Sequence, residues 1–214
     1  QINQCSVSEA LKYLEKFVFS VQNVIKNKEI EQQKKYKILN VHEVQHPALI
    51  QYLKSRKVYE QKELVKEVEY ELNGKKYFGI RFFNNSGGVE IRNKYSKICL
   101  GKKDVTLIKN ELNISTEIVI FEGFFDYLTF RNLEKKENLS SDYLILNSTA
   151  MLFKIEEMLK KYAKISLLLD NDSNGELAKS KIQNQYKNVE DCSLIYQKFK
   201  DLNEWFCNDD CRSF

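Results

Sequence analysis

The sequence predicts an α/β fold in which a parallel sheet with flanking helices follows a small, basic α+β subdomain. Three short apolar runs, 118–121, 143–146 and 165–169, consist mainly of Ile, Leu, Val, Phe and Tyr. Continuous runs of this kind are typical of strands buried on both faces, which lack alternating polarity. Segments of helical periodicity separate them, and strands that alternate with helices predict a parallel sheet with right-handed crossovers.

The remaining elements follow from periodicity, caps and turn residues. Asn73-Gly74, between two stretches of alternating polarity, predicts a tight hairpin. The elements predicted in the first half are helix 8–17, a polar connector over 20–37, helix 47–56, strands 65–72, 77–83 and 89–92, and a short helix over 104–110. Those of the second half are strand 118–121, helix 124–135, strand 143–146, helix 151–162, strand 165–169, helix 176–187, strand 192–196 and a last helix that begins at Lys200.

These elements divide the chain into four predicted segments. Residues 1–40 form an N-terminal helix and connector, 41–116 the basic α+β subdomain, 117–207 the domain with the parallel sheet, and 208–214 a tail. A chain of 214 residues can bury one good core or two small ones. The longest apolar runs are too short to span a bilayer and no signal peptide opens the chain, so we expect no membrane partner.

The net charge of +4 conceals an asymmetry between the two halves. Residues 1–116 contain 21 Lys and Arg against 13 Asp and Glu, a net charge of +8. Residues 117–214 contain 13 against 17, a net charge of −4. A basic lobe attracts phosphates and an acidic lobe binds cations, so this distribution favours an enzyme that acts on a polyanion.

Cysteine and histidine usage indicates the compartment and one alternative metal site. The five cysteines are an odd number without the spacing of a disulfide framework, so we expect a reducing cytoplasm. Cys207-x-x-x-Cys211 and His42-x-x-x-His46 have spacings that would allow a joint zinc site. Their positions in a polar tail and in a loop disfavour this alternative.

Acidic residues follow two of the buried strands. Glu122 comes directly after the first strand, and Asp126 lies four residues later, in the first turn of the next helix. Asp170 and Asp172 follow the 165–169 run, and their spacing of two places both carboxylates on one side of an extended segment. Because ligands bind beyond the carboxyl ends of strands in such sheets, we expect these carboxylates to converge.

The ligand types at this edge favour Mg²⁺ or Mn²⁺ over zinc, because the donors are oxygens and neither His nor Cys is near. Gly123 and Gly175 are predicted to allow sharp turns from each strand into the helix that follows. Each acidic motif taken alone is also typical of a solvated turn or a helix cap. The presence of both, separated by a helix, a strand and a helix, favours a metal site.

The predicted antiparallel strands of the first half carry basic residues interleaved with aromatic ones. Such a surface suits single-stranded nucleic acid, through phosphate contacts and stacking on the bases. Packing of the aromatic side chains in a core explains most of them equally well. The residues that we select as nucleic-acid contacts are Arg81, Arg92 and Lys97.

The acidic motifs form part of a longer pattern. Glu122-Gly123-x-x-Asp126, Leu146-Asn147-Ser148 and Asp170-x-Asp172-x-x-Gly175 together resemble the toprim domain shared by topoisomerases and bacterial primases. The resemblance extends to segments typical of primases, namely Pro47 to Arg56, Arg81-Phe82, Gly87 to Asn93 and the closing Lys200-Asp201-Leu202-Asn203-Glu204. It covers about Val41 to Phe206, and the chain is similar in particular to small primase-like toprim proteins of bacterial mobile elements.

The resemblance implies a DNA primase that joins ribonucleotides on a single-stranded DNA template. It implies that Glu122, Asp170 and Asp172 are catalytic, and that Asp126 and Asp201 join them as ligands of Mg²⁺ or Mn²⁺. Lys200 is implied as a further nucleic-acid contact. The implied partners are single-stranded DNA, ribonucleoside triphosphates and a replicative helicase.

Primases of this family usually have a Cys/His zinc module before the catalytic core. The chain shows no such module and begins at Gln1 rather than Met. We therefore expect it to be a fragment of a longer protein whose N-terminal module would bind Zn²⁺.

Three other functions are compatible with parts of the pattern. A topoisomerase needs a tyrosine nucleophile on a further domain, which the chain lacks. A toprim nuclease would use the same carboxylates to activate water, and only the Arg-Asn and Lys-Asp segments favour a primase over it. A non-catalytic module that docks DNA or a helicase would not need Glu122, Asp170 and Asp172.

Overall fold

The described residues form two five-stranded sheets. The structure is a computed structural model that describes residues 36–110, 114–134 and 141–208. The strands of the first sheet are β1 (Tyr36–His42), β2 (Lys66–Leu72), β3 (Lys75–Phe83), β4 (Val89–Arg92) and β5 (Lys97–Leu100). Those of the second are β6 (Thr106–Ile108), β7 (Glu117–Phe121), β8 (Asp142–Ile145), β9 (Lys164–Leu168) and β10 (Val189–Asp191). The predicted helix 8–17 lies outside the described residues.

Helices flank both sheets. The α-helices are α1 (Pro47–Ser55), α2 (Phe124–Leu133), α3 (Glu156–Leu159), α4 (Ser173–Gln185) and α5 (Leu202–Cys207). Three 3-10 helices span Tyr59–Leu64, Thr149–Lys154 and Cys192–Tyr196. None of the helices in the described residues is both long enough and apolar enough to cross a membrane.

The first sheet is antiparallel, with the strands in chain order from β1 to β5. The predicted hairpin at Asn73-Gly74 joins β2 to β3. Asn73 has φ 51° and Gly74 has φ 79°, the left-handed pair that a two-residue turn of this type requires. The sequence analysis missed β1 and β5, and β1 begins within the predicted polar connector.

The second sheet has the order β10-β9-β7-β8-β6. The pairs β10–β9, β9–β7 and β7–β8 are parallel, and β6 pairs antiparallel with β8 at the edge. The predicted mixed α/β architecture is confirmed, with the parallel strands flanked by helices. In this order β7 and β9 are central neighbours, with Phe121 opposite Leu168, so the residues that follow each strand emerge side by side.

Two predicted elements, the helix over 104–110 and the strand over 192–196, are wrong. Residues 104–110 contain strand β6 and no helix, because β-branched Thr106 and Ile108 pair with the free edge of β8. Residues 192–196 form a 3-10 helix, since Asp191 caps it by accepting the Ser193 N–H at 2.9 Å. The strand of this region is the preceding, more polar β10.

A third prediction is corrected in its extent. The helix expected over 151–162 is a 3-10 helix followed by the single turn of α3. Ile155, between them, has φ −104° and ψ −8°, which departs from regular helical geometry. The chain is thereby bent before β9 begins.

The core that joins the two sheets is aromatic. Phe82 of β3 stacks on Phe124 of α2 with ring centroids 5.3 Å apart, and both are buried. Phe124 also lies 5.0 Å from Phe125, centroid to centroid. This packing belongs to one cluster that includes α1, β3, α2 and β7. The first residues of α2, which carry Asp126, are therefore fixed against the first sheet.

Candidate active site

Glu122 occupies the position directly beyond the carboxyl end of β7. One of its carboxylate oxygens, Oε2, is buried and accepts no hydrogen bond from the described residues. Burial raises the pKa of Glu122 to about 7, and the negative charges of Asp170 and Asp172 contribute, whereas Lys97 opposes the shift. A carboxyl group with this pKa exchanges protons near neutral pH, as acid–base catalysis requires.

Asp170 lies beside Glu122, beyond the end of β9. Its side chain is 14% exposed, and Lys200 Nζ lies 3.7 Å from Oδ2. Burial raises the pKa of Asp170 to about 6, with Asp201 as the second cause, while Lys200 and Lys97 lower it. Two carboxylates in a shared, partly dry environment repel each other, and a bound cation would relieve the repulsion.

Asp172 has a different environment, because it caps helix α4. Its Oδ1 accepts hydrogen bonds from the backbone N–H groups of Asn174 at 3.0 Å and Gly175 at 3.1 Å. Its Oδ2 lies 3.7 Å from Lys200 Nζ. The Gly175 hydrogen bond is the first cause that lowers the pKa of Asp172. Asp172 is thus held ionised with one oxygen still directed toward the site.

The two glycines of the motifs differ in what they do. At Gly175 an added Cβ would lie 2.0 Å from the carbonyl oxygen of Asp170, so a larger residue cannot fit without displacing that loop. At Gly123 an added Cβ would lie 3.2 Å from Asp126 Oδ2. Gly123 is the N-cap of α2 and has φ −126°, a conformation open to other residues.

Asn171 ties the acidic loop to the segment that precedes α5. Its N–H donates to the Lys200 carbonyl at 2.6 Å. Its side-chain Nδ2 donates to the carbonyls of Tyr196 at 3.0 Å and Phe199 at 3.1 Å. The backbone between Asp170 and Asp172 is therefore fixed relative to Lys200.

A buried lysine completes this anchor. Lys179 of α4 is 2% exposed, and its ammonium group donates to Asn171 Oδ1 at 2.8 Å and Ser193 Oγ at 2.6 Å. It also pairs with Glu176 Oε1 at 2.6 Å. All three donor positions of Lys179 are used, which makes it a positioning residue for the loop rather than a ligand of substrate.

Asp126 and Asp201 form a second acidic pair behind the first. Asp126 is buried, and burial, followed by the charge of Asp201 and then of Asp170, raises its pKa well above the ordinary value. Asp126 Oδ1 accepts the Asn203 N–H at 3.1 Å. Asp201 caps α5 by accepting the Glu204 N–H at 2.7 Å. The structure thus brings Asp126 and Asp201 within electrostatic range of Asp170.

The selected basic residues occupy different faces of the first sheet. Lys97 is exposed on β5, and it acts electrostatically on both Glu122 and Asp170. Arg92, opposite Lys97 in register, is 7% exposed, and its guanidinium carbon lies 5.2 Å from the centre of the Phe124 ring. Arg81 neighbours the inward-facing Phe82 and so faces the other side of the sheet, over the Phe83 ring at 3.7 Å.

The acidic residues fit divalent metal ions on two grounds. The donors are carboxylate oxygens alone, which suit Mg²⁺ and Mn²⁺. Glu122 Oε2 is buried and accepts no hydrogen bond in the described part of the chain, and such an oxygen is costly without a cation or a proton. Glu122, Asp170 and Asp172 are the residues that would hold the ions.

Sequence reasoning missed several residues that shape the site. Asn171 and Lys179 act through hydrogen bonds between residues that are distant in the sequence. Lys179 and Asn171 are eight residues apart, and Asn171 and Phe199 are 28 residues apart, so no local sequence pattern predicts these contacts. Arg56, the residue directly after α1, lowers the pKa of Asp126, and its guanidinium lies 5.3 Å from the Phe125 ring. The only local signal for it was its place at the end of a motif typical of primases.

The alternative zinc site of two histidines and two cysteines gains no support from the geometry. His46 caps α1 by accepting the Ala48 N–H at 3.2 Å, and its ring stacks on Phe78 with centroids 4.1 Å apart. Cys211 lies outside the described residues. His42 lies beside Glu67 instead, with Nε2 3.9 Å from Oε1.

Comparison with known proteins agrees with this geometry. Residues 119–206 match a family model described as Toprim-like. They form a toprim domain. The model covers the acidic motifs and the closing Lys200-Asp201 segment. Residues 38–101 match a second model, described as a domain of unknown function (DUF8464), which covers most of the first sheet. No curated protein matches the chain.

Solved structures extend the likeness beyond the toprim domain. The primase fragment of the bacteriophage T7 primase-helicase protein aligns with a TM-score of 0.50 and 18% identity, over 82% of this chain and 77% of that chain. A chain from the structure of the T7 lagging-strand DNA polymerase with primase domains of two gp4 subunits aligns with a TM-score of 0.47 and 19% identity, over 70% and 79%. The first alignment shows that this chain shares the fold of that fragment over most of its length.

Proposed function

We propose that this chain is the catalytic core of a metal-dependent DNA primase, which synthesises short RNA primers on single-stranded DNA. The observation that carries the proposal is the convergence of Glu122, Asp170 and Asp172 at one sheet edge, opposite Lys97. The primase-type fold of the chain supports it. The reaction is nucleotidyl transfer: a primer 3′-hydroxyl oxygen bonds to the α-phosphorus of a ribonucleotide, and the bond to pyrophosphate breaks.

The carboxylates have distinct roles in this proposal. Asp170 and Asp172 supply ligand oxygens, and Asp172 remains ionised because its cap hydrogen bonds stabilise the negative charge. Glu122 either binds metal or accepts the proton that leaves the 3′-hydroxyl, which its pKa of about 7 would allow near neutral pH. Asp126 and Asp201 are proposed as ligands of additional ions.

When bound, two divalent ions would clamp the attacking and leaving oxygens and neutralise the charge that develops on the phosphate. The chain contributes the rigid frame for this arrangement. Asn171 and Lys179 fix the loop between Asp170 and Asp172. Lys200, 3.7 Å from both carboxylates, would exchange these partners for a phosphate of the incoming nucleotide.

Template binding is proposed on the exposed face beside the carboxylates. Lys97 is exposed there, and Lys200 is 59% exposed, so both can reach phosphates. Arg92 is buried. We propose that it packs beneath the binding surface and supports it, and that only the exposed tip of its side chain contacts substrate. Arg81 stays a predicted contact, on the opposite face of the first sheet.

The remaining partners follow from the same proposal. The T7 fragment belongs to a primase-helicase protein, and we propose a replicative helicase as the partner of this chain as well. Ribonucleoside triphosphates are the proposed substrates, and the cytoplasm is the proposed compartment.

The test is ribonucleotide incorporation on single-stranded DNA with Mg²⁺ or Mn²⁺, by the chain and its Glu122→Gln variant. The matched control is Glu117→Gln, an exposed glutamate at the other end of the same strand. We expect template-dependent short RNA from the unmodified chain and the control, and none from Glu122→Gln. Degradation of the template without synthesis would instead identify a nuclease, which uses the same carboxylates to activate water.

A further inference from the structure

A histidine and two glutamates meet on the first sheet, away from the toprim carboxylates. His42 of β1 lies opposite Glu67 of β2 in register, and Glu69 follows two residues later on the same face. One potential ligand atom from each of the three lies within 4.8 Å of the others. The group combines an imidazole nitrogen with carboxylate oxygens, whereas the toprim motifs offer oxygens alone.

Glu67 is a buried carboxylate with one oxygen in use and one directed at His42. Its side chain is 3% exposed. Its Oε2 accepts two backbone hydrogen bonds, from Gln45 at 3.0 Å and from His46 at 2.8 Å. Its Oε1 accepts no hydrogen bond from the described residues, and it lies 3.9 Å from His42 Nε2, too far for one. Oε1 is therefore the carboxylate oxygen of Glu67 that is available to a cation beside His42.

The His42 ring is oriented as in a metal ligand. Its Nδ1 lies 2.8 Å from the Glu43 carbonyl oxygen, which is an acceptor for the proton of the Nδ1–H tautomer. Gln45 Nε2 lies 3.2 Å from the same nitrogen, and its amide can turn its oxygen there. In the neutral ring, Nε2 then presents its lone pair to Glu67. A histidine ligand typically donates its other N–H to a backbone carbonyl in this way.

We propose that His42, Glu67 and Glu69 bind one Zn²⁺ ion, with water as the fourth ligand. Zinc accepts imidazole and carboxylate ligands together in sites of three protein ligands and one water. Two ligands of a tetrahedral zinc ion lie about 3.3–3.6 Å apart, given bonds of about 2.0–2.2 Å. The 3.9 Å between His42 Nε2 and Glu67 Oε1 would therefore shorten by a few tenths of an ångström on binding. Glu69 is exposed and can rotate to close the remaining gap.

The ion would join an edge strand to its neighbour. Strand β1 is at the edge of the first sheet, and His42 is its last residue. Glu67 already binds the backbone that leads into α1. A zinc ion here would therefore fix the end of β1, β2 and the start of α1 to each other. This role is structural, and it is independent of the proposed primase activity.

The test is a zinc titration of the full 214-residue chain after removal of metal, in excess Mg²⁺ to occupy oxygen-only sites. Bound zinc is counted by elemental analysis, and affinity is measured by competition with a chromophoric chelator. We expect one zinc ion per chain, and His42→Ala should weaken binding by at least about tenfold. Glu69→Gln should weaken it as well, and zinc should raise the melting temperature of the unmodified chain but not that of His42→Ala.

Two controls separate this site from others. Glu71→Gln changes the next glutamate on the same face of β2, and Asp170→Asn disables the toprim carboxylates; both should bind zinc like the unmodified chain. The proposal is overturned if no zinc binds, if His42→Ala leaves the affinity unchanged, or if Asp170→Asn abolishes binding. Since Glu67 is buried, it is left intact in all variants.

Discussion

Lys179 Nζ donates a hydrogen bond of 2.8 Å to Asn171 Oδ1, and this contact fixes the residue between the two aspartates of the Asp-x-Asp motif. The ammonium group is buried, and its other partners are Ser193 and Glu176. Through these contacts the buried ammonium group holds α4 to the loop. The geometry of the carboxylates thus depends on a residue that does not face the site.

Replacement of Lys179 tests this dependence. Lys179→Met should lower the free energy of unfolding by about 1–3 kcal/mol, because Asn171 and Ser193 lose a buried donor. It should also weaken Mn²⁺ binding, since the loop is no longer fixed. Chemical denaturation and a Mn²⁺ titration measure the two effects.

The matched control for this experiment is Lys181→Met on the same helix. The Lys181 side chain is 48% exposed and pairs with Glu156 at 3.1 Å, so its removal should change stability by no more than about 0.5 kcal/mol. Equal Mn²⁺ affinity in Lys179→Met and the unmodified chain would show that Lys179 does not position the loop.

Gly175 should tolerate no side chain. In Gly175→Ala the new Cβ would lie 2.0 Å from the Asp170 carbonyl oxygen, so either α4 or the acidic loop must move. We expect a loss of about 1–3 kcal/mol in stability from this overpacking, together with weaker metal binding. Asn174→Ala, at the neighbouring exposed position, retains the N–H that Asp172 accepts and should bind metal normally. A fully stable Gly175→Ala protein would contradict the close approach.

The metal-free protein should lose stability as the pH rises from weakly acidic to neutral. The native pKa values of Glu122, about 7, and Asp170, about 6, exceed the ordinary values of 4.5 and 3.8. Between the ordinary and raised values the native state binds more protons than the unfolded chain, so the free energy of unfolding falls with rising pH. Melting temperatures measured in a chelator from pH 4 to pH 8 would show the decline.

Substitution identifies the groups responsible for this decline. Glu122→Gln removes one of the raised pKa values, so its melting temperature should fall less steeply, whereas Glu117→Gln should follow the unmodified chain. Divalent metal should reduce the decline, because it stabilises the ionised carboxylates. Identical pH profiles for Glu122→Gln and the unmodified chain would rule out Glu122 as a contributor.

Lys97 should contribute to DNA binding through phosphates. Lys97→Ala is expected to weaken binding to all single-stranded sequences alike and to reduce the salt dependence by about one counterion. The control is Lys164→Ala, at the start of β9 and so at the end of that strand away from Asp170, where the side chain pairs with Glu190 at 3.1 Å. Fluorescence anisotropy at several salt concentrations measures both variants. If Lys97→Ala changes the salt dependence of DNA binding no more than Lys164→Ala does, Lys97 is not part of the DNA-binding surface.

Much of the second sheet was predictable from the sequence because its strands are buried on both faces. The runs ending at Phe121 and Leu168 are continuous and apolar, and the acidic residues that follow them mark one sheet edge. The Asn-Gly hairpin was predictable because its backbone conformation suits few other residues. These features depend on residues that are close in the sequence.

The missed features depend on tertiary contacts. Strands β1 and β5 have exposed residues and mixed polarity, so only pairing with their neighbours defines them. The apolar Leu194 and Ile195 suggested a strand, but they are 65% and 64% exposed in a capped turn. The buried hydrogen bond between Lys179 and Asn171 depends on tertiary packing. The pairing of His42 with Glu67 depends on the register of β1 and β2. Neither can be predicted from neighbouring residues in the sequence.

Primer synthesis by Asp172→Asn is the measurement that tests the central claim most directly. Asparagine caps a helix as well as aspartate does, so this substitution retains the start of α4 while it removes the charge that would bind metal. We predict an unchanged melting temperature in the absence of metal and no template-dependent RNA. Synthesis at the rate of the unmodified chain would contradict the account.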